Sequence, residues 1–267
     1  MKKITLYIIA VITIAFTGCD GYNRLLKSSN YELKLERAQK YYAKGNYVKA
    51  SALYEELIPV YKGSDKAEEI YYYFSHCMYN QGDYSLAQYH FKTYYRNFPS
   101  GKHAEECLFL NAYCYYLNSP AYHLDQTDTK NAMAELQNFI DQVPESARID
   151  SCNKINNILR GKLEKKEYDI IKQYYNISDY KAAIASCNNY VKDFPESTHI
   201  AEMLYIVCDS YYLLAVNSLE TKKLERLDLS IESYLKLVNL FPNDNYAQKA
   251  ENVYSSCIKI KNNNKKS

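Results

Sequence analysis

One spacing recurs five times along this chain and limits what it can fold into. Counting from Tyr47, Tyr84, Thr129, Tyr180 and Leu227, the third residue on is Ala50, Ala87, Ala132, Ala183 or Ser230. The seventh is Tyr54, Phe91, Leu136, Cys187 or Tyr234, and the tenth is Leu57, Tyr94, Phe139, Tyr190 or Leu237. The fourteenth is Tyr61, Phe98, Val143, Phe194 or Phe241, followed by Pro99, Pro144, Pro195 and Pro242, with Lys62 in the first copy. These offsets lie on one face of an α-helix. A small residue at the third position lets a second helix come close. Proline then stops the helix, because it has no amide donor and its ring collides with the preceding turn.

After each stop comes Ser64-Asp65, Ser100, Ser146, Ser197 or Asp244, short side chains expected to cap a following helix. Asp65 and Glu68 have the spacing of a capping box. A second helical pattern follows each start, so the unit reads helix A, turn, helix B, proline, with Gly45-Asn46 and Gly82-Asp83 at A-to-B turns. Seven glycines and six prolines leave little material for β-hairpins. The later copies are looser. A lengthened helix is expected across Ser146 to Tyr175, "NSPAYHLDQTD" reads as a longer loop, and 244–261 reads as a closing helix. The expected fold class is all-α: a superhelical solenoid of about five hairpins with a C-terminal capping helix over 31–262, then a disordered basic tail at 263–267.

The N-terminus is of another kind. Lys2 and Lys3 precede an apolar run of 13 residues, Ile4 to Phe16, too short for the roughly 20 that span a bilayer and in proportion for an export signal. Thr17-Gly18-Cys19 resembles a bacterial lipobox, with Phe16 where leucine is usual. That resemblance implies removal of residues 1–18 and acylation of Cys19, palmitate included, with 19–30 as an anchored linker. Several acyl chains hold a protein on a membrane stably. An ordinary signal peptide with a coincidental cysteine is the other reading.

Without residues 1–18 the chain has 31 basic and 31 acidic residues, a balance that argues against a nucleic-acid partner. Seven cysteines remain beside Cys19, an odd number with no CxxC pair, and equivalent places in separate repeats are too far apart to bond or share a metal. Buried free thiols are therefore expected. The histidines His76, His90, His103, His123 and His199 are scattered; His103 and His199 each fall four residues after a proline, as helix starts. Glu55-Glu56 and Glu105-Glu106 read as solvated faces. With no HExxH, GxSxG or phosphate-cradling glycine loop, no catalytic residue, metal or cofactor is expected.

The repeating unit, with Ala38, Tyr41 and Ser75 at its small and aromatic places, resembles the tetratricopeptide repeat. The lipobox-like signal, "YYAKGNYVKASALYEELI" and "AEEIYYYFSHCMYNQGDYSLAQYHFKTYYRNFPSGKHAEE" together resemble the BamD family of outer-membrane β-barrel assembly lipoproteins. The resemblance implies a place on the periplasmic face of the outer membrane. It implies N-terminal repeats that meet unfolded outer-membrane proteins, C-terminal repeats that dock the β-barrel insertase, and companion assembly lipoproteins as further partners. Asp20 leaves the destination membrane open, since that residue holds lipoproteins at the inner membrane in some bacteria. A pilus-assembly or envelope coordinator would share these features. A SusD-like glycan-binding lipoprotein would be larger, and its sugar platforms often use tryptophan, which is absent here.

Tyrosine is abundant, at 31 residues. It offers flat apolar area with a water-tolerant hydroxyl, suited to the alternating apolar strands of an unfolded barrel. Tyr71, Tyr72, Tyr73, Tyr79 and Tyr95 are the candidate substrate-binding residues, against a plainer reading in which they pack helix against helix. Successive helical residues point about 100° apart, so one of Tyr71, Tyr72 and Tyr73 is expected in the core and another exposed.

Overall fold

The structure, a computed structural model, describes residues 21–264; residues 1–20, with the expected signal segment and Cys19, and residues 265–267 lie outside it. Every regular element among the described residues is helical. A short helical segment at 21–26 is followed by α1 (Tyr31–Ala43), α2 (Tyr47–Val60), α3 (Ala67–Asn80), α4 (Tyr84–Asn97), α5 (Ala104–Asn118) and α6 (Thr127–Gln142). Then come α7 (Ile149–Asn176), α8 (Tyr180–Asp193), α9 (Ile200–Val216), α10 (Glu220–Leu240) and α11 (Asn245–Asn264). The all-α class holds, as do the long fourth helix A and the closing helix. That closing helix runs through Asn264, past the expected start of the tail.

The A-to-B turns show how local chemistry sets these boundaries. Gly45 (φ 72°) and Gly82 (φ 79°) take the left-handed conformation that only glycine adopts without steric cost. Asn46 and Asp83 next to them accept the amides of Lys49 and Leu86, which caps α2 and α4. In the fourth hairpin Asp179 caps α8 in the same way, but Ser178 holds the left-handed position at φ 63°. The B-to-A starts differ from expectation. The first turns of α3, α5 and α9 have no side-chain cap, and the Asp65–Glu68 box does not form. Ser146 and Ser197 instead accept amides two residues on that still precede the helix, at Arg148 and His199, whereas Asp244 accepts the Tyr246 amide in the first turn of α11 and caps it as expected. The four-residue turn after proline is closed by backbone bonds such as Ala104 N–H to Gly101 C=O, so Ser146 and Ser197 serve the turn and not the helix.

Two compact units are present. The first comprises residues up to Pro120 with 124–159, and the second 121–123 with the chain from Arg160 on. Within the first unit α1 to α6 pack each on the next. One core gathers Leu25, Leu35, Ala38, Leu53, Tyr54, Ile70 and Phe74. Another gathers Ala87, Phe91, Tyr94, Cys107, Phe139 and Leu159. Leu25 shows that the stretch expected as linker joins the fold; Tyr22 and Leu26 pack beside it. Within the second unit a single core holds Ala183, Tyr190, Met203, Ile206, Leu227, Leu237 and Ala250, and α11 lies against both α9 and α10 as a cap. The five small residues at the third position are fully buried, as close helix approach requires.

Candidate protein-binding surface

Four of the five candidate tyrosines lie on α3, and Tyr95 lies on α4. The Tyr71 hydroxyl and His90 Nδ1 are hydrogen-bonded at 3.0 Å, within the same hairpin. Tyr72 stacks on His103 at 3.8 Å, meets His76 at 4.3 Å and donates to Glu106 Oε2 at 3.1 Å. Tyr73 packs on Tyr42 and Tyr54 of the first core. Tyr79 packs on Tyr84 and Phe91, and Tyr95 rests against the second core. All five are half-buried. The expected split of Tyr71, Tyr72 and Tyr73 into core and exposed residues is therefore corrected. Helix α3 has α2 on one side and α4 on another, and Tyr72 reaches α5, so each direction meets a neighbour that covers the ring.

Asp65, Glu68, Glu69, Tyr73, Lys102 and His103 line a cleft of about 300 Å³. The fully buried Tyr94 supports its wall: its hydroxyl donates to Glu68 Oε1 at 2.5 Å and accepts the His103 amide at 3.3 Å. Burial and the nearby Glu106 push the Tyr72 hydroxyl upward from its ordinary value. Burial lowers the His76 imidazole, whose Nε2 is enclosed without a hydrogen-bond partner. Both rings are neutral at neutral pH. The cleft thus combines flat rings with carboxylates able to accept hydrogen bonds, a chemistry of recognition.

The second unit carries the same arrangement at a constant offset along the chain. Tyr168 donates to Glu202 Oε2 at 2.9 Å and its ring lies 4.4 Å from His199, as Tyr72 does with Glu106 and His103. Tyr190 donates to Glu164 Oε1 at 3.0 Å, as Tyr94 does to Glu68. A cleft of about 240 Å³ is lined by Gly161, Glu164, Lys165, Tyr168 and His199. The lining differs: Gly161, Lys165, Asp169 and Thr198 stand where the first unit has Asp65, Glu69, Tyr73 and Lys102, and two of the bonded positions change as well. Lys172 replaces His76 and binds Glu202 Oε1 at 2.6 Å. Ser197 replaces Gly101 and donates to Glu164, whereas a Cβ at Gly101 would lie 2.7 Å from Glu68 Oε1. Burial raises the Glu202 carboxyl, but hydrogen bonds from Lys172 and Tyr168 outweigh it and hold the group below the usual glutamate range.

His103 and His199 do stand at helix starts, as the sequence implied. Glu106 departs from the expected solvated face, because Tyr72 reaches it from the preceding hairpin. The readable signal was a Tyr–Glu pair 34 residues apart, occurring at both Tyr72/Glu106 and Tyr168/Glu202. The seven described cysteines are free and buried. Burial pushes Cys77, Cys114, Cys187 and Cys208 up to about 12. Among the described residues no cluster could hold a metal, and no helix is long and apolar enough to cross a membrane.

Helical hairpins with small residues at the closest approach, stacked within each unit and closed by a cap, define an all-α repeat protein of the tetratricopeptide type. The chain belongs to the YfiO (BamD) family of outer membrane lipoproteins, whose family profile matches residues 31–227 and 161–262. Among curated proteins no sequence matches. Similar solved structures include a TPR-repeat protein from Bacteroides fragilis, 13% identical with a TM-score of 0.40, covering 87% of this chain and 100% of that one. The TPR2AB-domain:pHSP90 complex of yeast Sti1 is 14% identical at 0.39, covering 86% and 98%. A TPR protein from Thermus thermophilus is 16% identical at 0.34, covering 85% and 98%.

Proposed function

We propose that this chain is a lipid-anchored, non-catalytic scaffold of outer-membrane β-barrel assembly. Its membership of an outer membrane lipoprotein family, matched along nearly all of the helical region, carries the reading. Cys19 bears the acyl anchor and holds the repeats on the periplasmic face of the outer membrane. The first unit receives unfolded outer-membrane proteins. Tyr73 meets an apolar or aromatic substrate side chain at the cleft, while Tyr71, Tyr72, Tyr79 and Tyr95 extend the half-buried aromatic area. The second unit docks the β-barrel insertase and companion assembly lipoproteins. Affinity isolation of tagged full-length protein from membranes, with mass spectrometry of its companions, tests this. Recovery of the insertase is expected. Recovery only of pilus or other envelope machinery would overturn the assignment and leave the fold standing.

A further inference from the structure

The chain is charge-balanced beyond its signal segment, yet residues 21–50 hold seven basic side chains against two acidic ones. Both of those acids, and Glu56 nearby, are already engaged. Glu32 binds Lys66, Glu36 binds Lys40 and Glu56 binds the buried Lys34. Arg24 and Arg37 have no hydrogen bond or ion pair to any described residue, and both line one pocket of about 370 Å³. Gly21, Tyr22, Leu25, Ser28, Leu33 and Tyr41 complete its wall, and no carboxylate of the described residues lines it. The site has rigid support: Tyr22 and Tyr41 meet edge to face at 5.6 Å, and Lys49 Nζ lies 5.1 Å and 5.5 Å from their ring centres. The Ser28 oxygen accepts the Asn30 amide, which leaves its own hydrogen for a ligand.

Two guanidiniums, a hydroxyl and tyrosine edges around one concavity match a phosphate group, which arginine binds through paired donors. Gly21, on the pocket rim, is two residues after Cys19. At no more than about 3.6 Å per residue, that tether keeps the pocket within roughly 7 Å of the acylated residue. We infer that this pocket binds the phosphate of an anionic phospholipid headgroup in the bilayer that carries the anchor. Such a second contact would orient the first unit against the membrane, where an anionic surface attracts basic segments.

The inference rests on the membrane anchoring proposed above. Its test contains neither insertase nor substrate, so the two readings fail separately. Full-length protein in non-ionic detergent is titrated calorimetrically with short-chain phosphatidylglycerol, alongside Arg24→Gln/Arg37→Gln and the distant control Lys181→Gln/Lys192→Gln. Saturable binding is expected, weakened on the order of tenfold or more by the arginine pair and unchanged in the control. Far-UV circular dichroism melts show whether the arginine variant remains folded; both side chains are exposed, so it should. Equal binding by that variant, or no binding by the parent chain, would overturn the inference. Inorganic phosphate that saturates the pocket as tightly as the lipid would mark a free-phosphate site and equally overturn the lipid assignment.

Discussion

Tyr54 and Tyr94 offer a matched pair in which one substitution should act with opposite signs. Both are fully buried on helix B of their hairpins. The Tyr94 hydroxyl donates to a carboxylate at 2.5 Å and accepts an amide at 3.3 Å. The Tyr54 hydroxyl is enclosed with no hydrogen-bond partner. Phenylalanine removes one oxygen from each and keeps the ring. At Tyr94 the change strips a donor from Glu68 and an acceptor from the His103 amide. A bond to a charged group contributes about 1.5–3 kcal/mol, and Glu68 is only half-buried, so a loss of about 2 kcal/mol is expected. At Tyr54 the change relieves the desolvation cost of an unpaired hydroxyl, and the result should lie between about 0 and 1 kcal/mol of gain. Urea unfolding followed by far-UV circular dichroism on the full chain measures both. Tyr94→Phe should also lower the first unit's melting temperature by roughly 4–8 °C. Equal losses in the two variants would refute the reasoning, since removing a hydroxyl would then cost the same whether or not it has hydrogen-bond partners.

Other outcomes follow from the same structure. Ser178→Gly should stabilise the second unit by about 0.5 kcal/mol in urea titration, because glycine removes the left-handed strain at φ 63° at some entropic cost. Glu202 is held below the ordinary glutamate value of 4.5 in the folded chain, so it contributes stability above that value that is lost as pH falls through its lowered one. Melting temperature plotted against pH should accordingly fall less steeply on the acid side in Glu202→Gln, from a lower plateau at neutral pH. A membrane-impermeant thiol reagent should label none of Cys77, Cys107, Cys114, Cys152, Cys187, Cys208 and Cys257 in the native chain and all of them in denaturant, read by mass spectrometry.

The hairpins and their fused Gly-Asn and Gly-Asp turns were legible because each depends on residues a few positions apart. The left-handed backbone that Gly45 and Gly82 adopt without cost and the helical face from Tyr84 to Phe98 are local facts that no distant partner can change. The helix starts were misread for a related reason. A serine has several amides within reach, and which one it takes depends on the turn closed by the backbone. The candidate surface was legible only in part. Composition pointed to the tyrosines of α3, but their covering by α2, α4 and α5 depends on how successive hairpins approach.

By itself, then, the order of residues determined the helical class, the repeated helix-B pattern and the family. Small side chains, large apolar side chains and prolines at fixed offsets admit one periodic solution. Only the tertiary structure decided that Tyr72 meets Glu106, that Tyr168 meets Glu202, and that Arg24 and Arg37 share a pocket. These pairings join groups on different helices, and their energies come from distance, burial and the absence of competing partners, quantities that exist only once the helices have packed.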